Sequence, residues 1–329
     1  MRSAAASPVR LAMKVYRRLL LVEWSGLVAA ILIGSGALAL IAPNFLSEFN
    51  LYVMLRSLSV GLLVAFAQMI TLGVGQMNIA VGGIGGLVAI IFGGAMEIYG
   101  LPLALAVPFA LAIGALAGLI NGALIARSGV NAFIITLATG SAYTGINFGL
   151  TRSIPFYKMP AALVAFGDQH LGAMPYLLVA PLIVAAMLGL FFSRTTAGRQ
   201  FLAFGGNPQA AELSGISRER VIVSAHVLSG LIAALAAVLA VAQLGSAQPT
   251  IGADWLLLSF AAPIIGGAAL TGGYVSVLGT MFAVLLIGLI QNGMVLAKID
   301  PYWVQFALGA LILAAVGLNR WRAVNSGAT

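Results

Sequence analysis

Residues Leu27 to Pro43, Leu101 to Ile125 and Val277 to Ala297 pass without a single Asp, Glu, Lys or Arg. A helix that crosses a bilayer needs about 20 mostly apolar residues, and each of these runs supplies nearly that many or more. The rest of the chain obeys the same restriction. Only 7% of its residues are charged, against roughly 25% in a soluble domain, so a water-facing surface could not be assembled from them. The sequence therefore predicts an all-α integral membrane protein. Its 40 glycines suit that setting, because small residues let helices approach closely where lipid removes the hydrophobic drive to associate.

Apolar runs set against turn residues give ten candidate spans, at 21–43, 51–72, 76–96, 101–125, 132–150, 173–192, 220–244, 253–270, 275–297 and 301–318. A split of the third into two half helices is compatible with the pattern. The basic start, with Arg2, Arg10, Lys14, Arg17 and Arg18, resembles a signal peptide, but the apolar run after it is long and many others follow, so it reads as an uncleaved first span. The chain divides into a basic cytoplasmic segment at 1–20, a single transmembrane domain at 21–318 and a cytoplasmic tail at 319–329. With both termini cytoplasmic, Arg152, Lys158 and Lys298 fall outside, Arg56 lies within a span, and the other 12 of the 16 basic residues lie inside, as the positive-inside rule requires. The net charge of +8 is thus explained by orientation and not by nucleic acid.

Two segments repeat: Gly118-Leu-Ile-Asn-Gly-Ala-Leu-Ile and Gly288-Leu-Ile-Gln-Asn-Gly-Met-Val. They would cross in opposite senses, the pattern of inverted five-helix repeats in transporters. The longest polar connections are an external one near 151–172 and an internal one near 193–219.

Several chemistries are excluded. An ATP-binding P-loop needs Gly-Lys followed by Ser or Thr, whereas Lys14, Lys158 and Lys298 precede Val, Met and Ile. The absence of cysteine removes thiolate catalysis and thiolate metal sites, and two His with scattered carboxylates form no metal or nucleophile motif. No cofactor or catalytic residue is expected on this chain. The acidic residues all fall at span ends or in loops, which speaks against ion coupling. Arg56 and His226 are the ionisable exceptions, either snorkelling or locally paired, or part of a proton relay. In the internal loop Asn207 is a good N-cap, Pro208 suits the first turn and Gly215 a helix end, predicting a helix about 10 Å long in which Ala210 and Ala211 leave room for a partner.

The segments Thr196-Ala-Gly-Arg and Asn207-Pro-Gln-Ala-Ala-Glu-Leu-Ser-Gly-Ile resemble the coupling loop of ribose-type sugar ABC transporter permeases. Three further stretches agree in order: Gly75-Gln-Met-Asn-Ile-Ala-Val-Gly, Ala132-Phe-Ile-Ile-Thr-Leu-Ala-Thr-Gly, and Ile265-Gly-Gly-Ala-Ala-Leu-Thr-Gly-Gly followed by Gly279-Thr and Asn292-Gly. The resemblance implies the membrane subunit of a binding-protein-dependent importer in a bacterial inner membrane. It further implies a second permease copy or a homologue, two cytoplasmic ATPases that bind ATP and Mg, and a periplasmic solute-binding protein. On this chain the ATPase contact falls on Asn207, Pro208, Ala210, Ala211, Glu212 and Gly215. One departure stands out: where the family commonly shows Gly-Gly-Ile-Asp-Leu-Ser-Val-Gly, this chain has Gln76, Asn78 and Ala80. Gln76, Asn78, Asn121, Thr136, Asn147 and Asn292 are the candidate pathway residues, as neutral hydrogen-bonding groups in apolar spans. Each has a second possible role as interhelical glue, and Asn78 as a helix cap. The implied cargo is a sugar or sugar-like polyol, with a nucleoside, branched-chain amino acid or autoinducer as the alternative within the superfamily. The alternative of another class is an ion-coupled secondary transporter.

Overall fold

A computed structural model describes residues 25–300 and isolated positions between 303 and 317. The expected segments 1–20 and 319–329 and most of the span at 301–318 lie outside the described residues. In chain order the helices are α1 (Ser25–Ile41), α2 (Glu48–Gly73), α3 (Val81–Glu97), α4 (Leu103–Ser128), α5 (Ala132–Thr151), α6 (Ala161–Asp168), α7 (Val179–Arg194), α8 (Thr196–Gly206), α9 (Pro208–Leu213), α10 (Arg218–Leu244), α11 (Trp255–Ile265) and α12 (Val277–Leu296). A two-residue hairpin, β1 (His170–Leu171) with β2 (Met174–Pro175), and a 3-10 turn (Tyr176–Leu178) lead from α6 into α7.

Five helical stretches are long and apolar enough to cross a membrane: α2, α4, the 3-10 turn continued by α7, α10 and α12. α5 has the length, but Thr136, Thr139, Ser141, Thr144 and Asn147 make it the most hydroxyl- and amide-rich of the long helices. Hydroxyls and amides close the helix starts: Ser47 accepts from Asn50 N, Asn131 from Phe133 N, Ser217 from Arg220 N and Ser276 from Gly279 N. These bonds satisfy amides that have no partner inside the helix.

Burial places α2, α3 and α10 at the centre. The α2 side chains from Leu58 to Gly73 are buried nearly without interruption, as are most of α10 from Val221 to Ala242. By contrast α4 and α7 turn Leu105, Leu116, Leu124, Ile183, Met187 and Leu190 outward. An apolar rim of that extent suits lipid and would be an aggregation surface in water. The tightest contact joins α4 to α10. Gly114, Gly118 and Gly122, spaced by four, lie against Gly230, His226 and Val223, and a Cβ on Gly118 would run into the carbonyl oxygen of His226. Replacing Gly118 by Leu is expected to force these backbones apart and to cost about 3 kcal/mol. The same change at Gly189, which has open space around it, is expected to stay within about 0.5 kcal/mol. Thermal unfolding in detergent measures both.

Two expected spans differ from the structure. The 76–96 span begins as helix only at Val81, after the non-helical residues 74–80. The 253–270 span contains α11 alone, whose 11 residues reach about 16 Å at 1.5 Å per residue, half of a hydrocarbon core of about 30 Å. Left-handed backbone at Gly267, Gly272 and Gly273 turns the chain where hydropathy alone reads a continuing helix.

Candidate translocation site

The two interruptions define the site. α2 ends in left-handed Gly75 (φ 71°) and α10 in left-handed Gly245 (φ 64°). Each is followed by several residues of non-helical chain that pack inside the bundle before the next helix starts. Irregular backbone at membrane depth survives only where protein groups satisfy it or where it borders a water-filled cavity.

Here side chains satisfy it. The Gln68 amide of α2, oriented with its NH2 toward the Asn78 carbonyl, donates there at 2.8 Å and accepts from the Asn78 N–H at 3.2 Å. The Asn78 side chain accepts from Ala80 N at 3.0 Å and donates to Ser229 of α10 at 2.9 Å. Thr136 of α5 accepts from Ile79 N at 2.9 Å. On the second segment, Asn147 of α5 donates to the Pro249 carbonyl at 2.8 Å, and Phe156 and Ala247 exchange both backbone bonds. Asn78, Thr136 and Asn147 are all buried. They act as clamps on the breaks. The missing carboxylate at Asn78 thus falls on a residue whose two hydrogen bonds an amide makes unaided.

Between α3, α5 and residues 249–253 lies a cavity of about 600 Å³, floored by Gly82, Gly83 and Gly86. The α3 glycines let neighbouring backbone in: a Cβ on Gly82 would meet the Gly252 carbonyl, and one on Gly83 the Gly140 carbonyl. Asn147 borders this cavity beside Ser141 and Thr144, and its side-chain oxygen is buried with no partner among the described residues.

The other candidate pathway residues separate from this group. Asn121 accepts from the Tyr143 hydroxyl at 3.0 Å, tying α4 to α5. Asn292 forms a reciprocal amide pair with Asn50, at 3.0 and 2.8 Å, tying α12 to α2 at the far end of the bundle. Gln76 borders a separate crevice with Asn131 and Arg218. Arg56 is locally paired, with Asp168 at 2.7 Å. His226 is fully buried and bonds the Ile222 carbonyl at 3.0 Å, so it does not snorkel. Among the described residues no three His, Asp or Glu side chains gather as metal ligands. Gln68 and Ser229 escaped the sequence reading, although both are polar groups deep inside apolar runs.

At the Gly75 end, residues 193–219 contain two helices and not one. Thr195 caps α8 by accepting from Gly198 N at 3.0 Å, and Asn207 caps α9 by accepting from Ala210 N at 3.0 Å. Pro208 opens α9, and left-handed Gly215 (φ 85°) follows it. Ala211 is 5% exposed and packs into the chain's own core, so it seats α9 on the bundle. Asn207, Pro208, Ala210, Glu212 and Gly215 face outward, and between them Leu213 is 92% exposed. Leu213, the one large apolar side chain in Asn207 to Gly215, was not nominated from sequence.

Apolar helices bare to lipid, polar-clamped breaks at their centre and a cavity beside the breaks define a multi-pass membrane permease. The chain belongs to the family described as branched-chain amino acid transport system / permease component, whose model matches residues 41–316. It is 32% identical to the fructose import permease protein FrcC of Rhizobium meliloti, covering 86% of this chain and 81% of that protein. It is 32% identical to the ribose import permease protein RbsC of Haemophilus influenzae, over 90% and 92%. It is 34% identical to the autoinducer 2 import system permease protein LsrD of Photorhabdus luminescens, over 89% and 90%. No solved structure matches the chain.

Proposed function

We propose that this chain is the transmembrane subunit of an ATP-driven ABC importer that moves a sugar or sugar-like polyol delivered by a periplasmic binding protein. It supplies pathway and lever, and its partner ATPases supply ATP hydrolysis with Mg. Two permease copies, or one copy and a homologue, enclose the route. In this reading the chain crosses the inner membrane ten times with both termini cytoplasmic, and α3 and α11 are short helices completed by non-helical segments. An inverted repeat is supported by the packing of α4 on α10 and of α12 on α2, by left-handed glycines at the ends of α2 and α10, and by the Asn-Gly pairs in α4 and α12.

The observation that carries the reading is α9, a capped helix seated by Ala211 and presenting Leu213 to solvent at 92% exposure. A bare leucine on a small, well-fixed helix in the most basic loop is suited to a pocket on a cytoplasmic protein. The cargo rests on the named cargoes of the ribose and fructose import relatives. Reconstitution decides it. The permease in liposomes with its ATPase and binding protein is expected to accumulate labelled ribose or fructose only when ATP is supplied on the ATPase side. Uptake driven by a proton or sodium gradient without nucleotide would overturn the proposal.

A further inference from the structure

A second cavity, of about 300 Å³, lies between α2, the end of α10, residues 248–255 and α12. The non-helical segment separates it from the 600 Å³ cavity, and the wall is asymmetric. Gln248, Thr250 and Asp254 border the smaller cavity, whereas Pro249, Ile251 and Ala253 border the larger; Ile251 and Gly252 touch both. The hydrogen-bonding side chains of the segment are thus all on one side. Ser57 of α2, Gln243 of α10 and Gln291 of α12 add further polar groups to that side.

These groups are available. Among the described residues Asp254 has no ion-pair partner and does not cap α11, although it stands at the N-cap position. Among the described residues the side chains of Ser57, Gln243, Thr250 and Gln291 make no hydrogen bond, and Gln248 makes one, to Ser246. Trp255, 7% exposed, closes part of the wall, its ring packed against Gly85 with no room for a Cβ between them. Arg56, which precedes Ser57 on α2, is held by Asp168 and by the Gln243 carbonyl.

We infer that this smaller cavity is a binding station for a neutral polyhydroxylated solute. The carboxylate of Asp254 and the carbonyl oxygens of Gln243, Gln248 and Gln291 accept from ring hydroxyls, and the amide NH2 groups donate to them. Its described lining holds one carboxylate and no cation, which disfavours anionic solutes, and its volume sits at the small end of the roughly 300–1,000 Å³ of ligand pockets, matching a monosaccharide. The inference rests on the proposed sugar import and names the place where the sugar stops.

The chain contains no cysteine, so single thiols test it directly. Thr250→Cys and Gln291→Cys border the smaller cavity and Ala253→Cys the larger. Each is assembled with the ATPase and the binding protein in nanodiscs and reacted with a water-soluble thiol reagent, with the binding protein either free of sugar or loaded with ribose or fructose. Sugar at about ten times its half-saturating concentration leaves about a tenth of sites free, so labelling at Thr250→Cys or Gln291→Cys is expected to slow about tenfold. Ala253→Cys is expected to change less than about twofold, and adding Asp254→Asn is expected to abolish the protection. Protection at Ala253→Cys alone, or at none of the three, overturns the station. Uptake by the wild-type assembly is measured first. A wild type that accumulates neither sugar overturns the import reading itself, whereas uptake without protection at Thr250→Cys and Gln291→Cys overturns only the station.

Discussion

Leu213→Asp is expected to abolish ATP-driven uptake by the assembled importer while the permease still inserts, folds and elutes as before. Nothing among the described residues needs that side chain, since Leu213 is 92% exposed. The helix beneath it is held by the Asn207 cap and by Ala211 in the core, neither of which the substitution touches. On the proposed reading Leu213 fills a pocket on the ATPase, and truncating such an anchor at the centre of an interface costs about 2 kcal/mol or more. A carboxylate there adds the cost of burying an unpaired charge. Together these weaken docking by roughly 100-fold or more, at 1.4 kcal/mol per tenfold. Co-purification of ATPase with permease measures it. The conservative Leu213→Met should restore most of the association, because a volume-conserving apolar swap keeps the contact. Undiminished association of Leu213→Asp would place the lever elsewhere. Ala211→Trp is the instructive contrast: it has no room inside the chain, so it should lower thermal stability as well as coupling.

How much of this was legible in the sequence depends on what each residue answers to. Long helices were read within a few residues of their ends because lipid imposes one rule on the entire run: apolar, about 20 residues, capped by hydroxyls or amides. The short elements follow no such rule. α8 was read as part of the polar internal connection, yet Gly198 lies against the Phe191 carbonyl and Gly205 against the Gly73 carbonyl. These glycines admit neighbouring backbone to a helix. α11 was overextended for the converse reason: Gly266-Gly-Ala-Ala-Leu is as apolar as any span, and the left-handed glycines that stop the helix carry no signal in hydropathy.

The site shows the same division. Asn78, Thr136 and Asn147 could be nominated as polar groups in apolar surroundings, but their task, closing hydrogen bonds on broken backbone, exists only once the breaks are visible. Asn121 and Asn292 carry the identical sequence signal and serve as ties between helices. Asp254 and Gln243 sit near helix ends, where polar residues usually mark the interface, and Gln291, beside the nominated Asn292, was not singled out. The interruption at residues 245–254 carries that interface chemistry into the bundle.

Arg56→Ala is expected to destabilise the fold by roughly 3 kcal/mol, the largest loss from any single charged residue among those described, and to loosen the face that is external in the proposed topology. The guanidinium joins three elements at once: Nε donates to the Gly167 carbonyl at 3.1 Å, and one NH2 donates to Asp168 at 2.7 Å and to the Gln243 carbonyl at 2.7 Å. The Tyr52 ring flanks it at 5.9 Å, and the Tyr52 hydroxyl donates to the Asp168 carbonyl at 3.2 Å. Hydrogen bonds from a charged donor contribute about 1.5–3 kcal/mol each. The ion pair contributes less, because the Asp168 side chain is 63% exposed and exposed pairs are worth about 0–1 kcal/mol. Asp168→Asn should therefore cost under about 1 kcal/mol, and Arg56→Lys should fall between the two, since an ammonium lacks the planar fork that reaches several acceptors together. Thermal unfolding of the three variants in one detergent gives the order; equal losses for Arg56→Ala and Asp168→Asn would show that the ion pair, and not the two carbonyls, holds α6. The position of those carbonyls adds a functional consequence. Gly167 closes α6, and Gln243 lies two residues before the left-handed Gly245 at which α10 stops. Releasing Arg56 frees α6 and the start of the segment dividing the two cavities in one step. The same variant should also weaken productive docking of the binding protein, read as ATPase activity that no longer rises when the loaded binding protein is added.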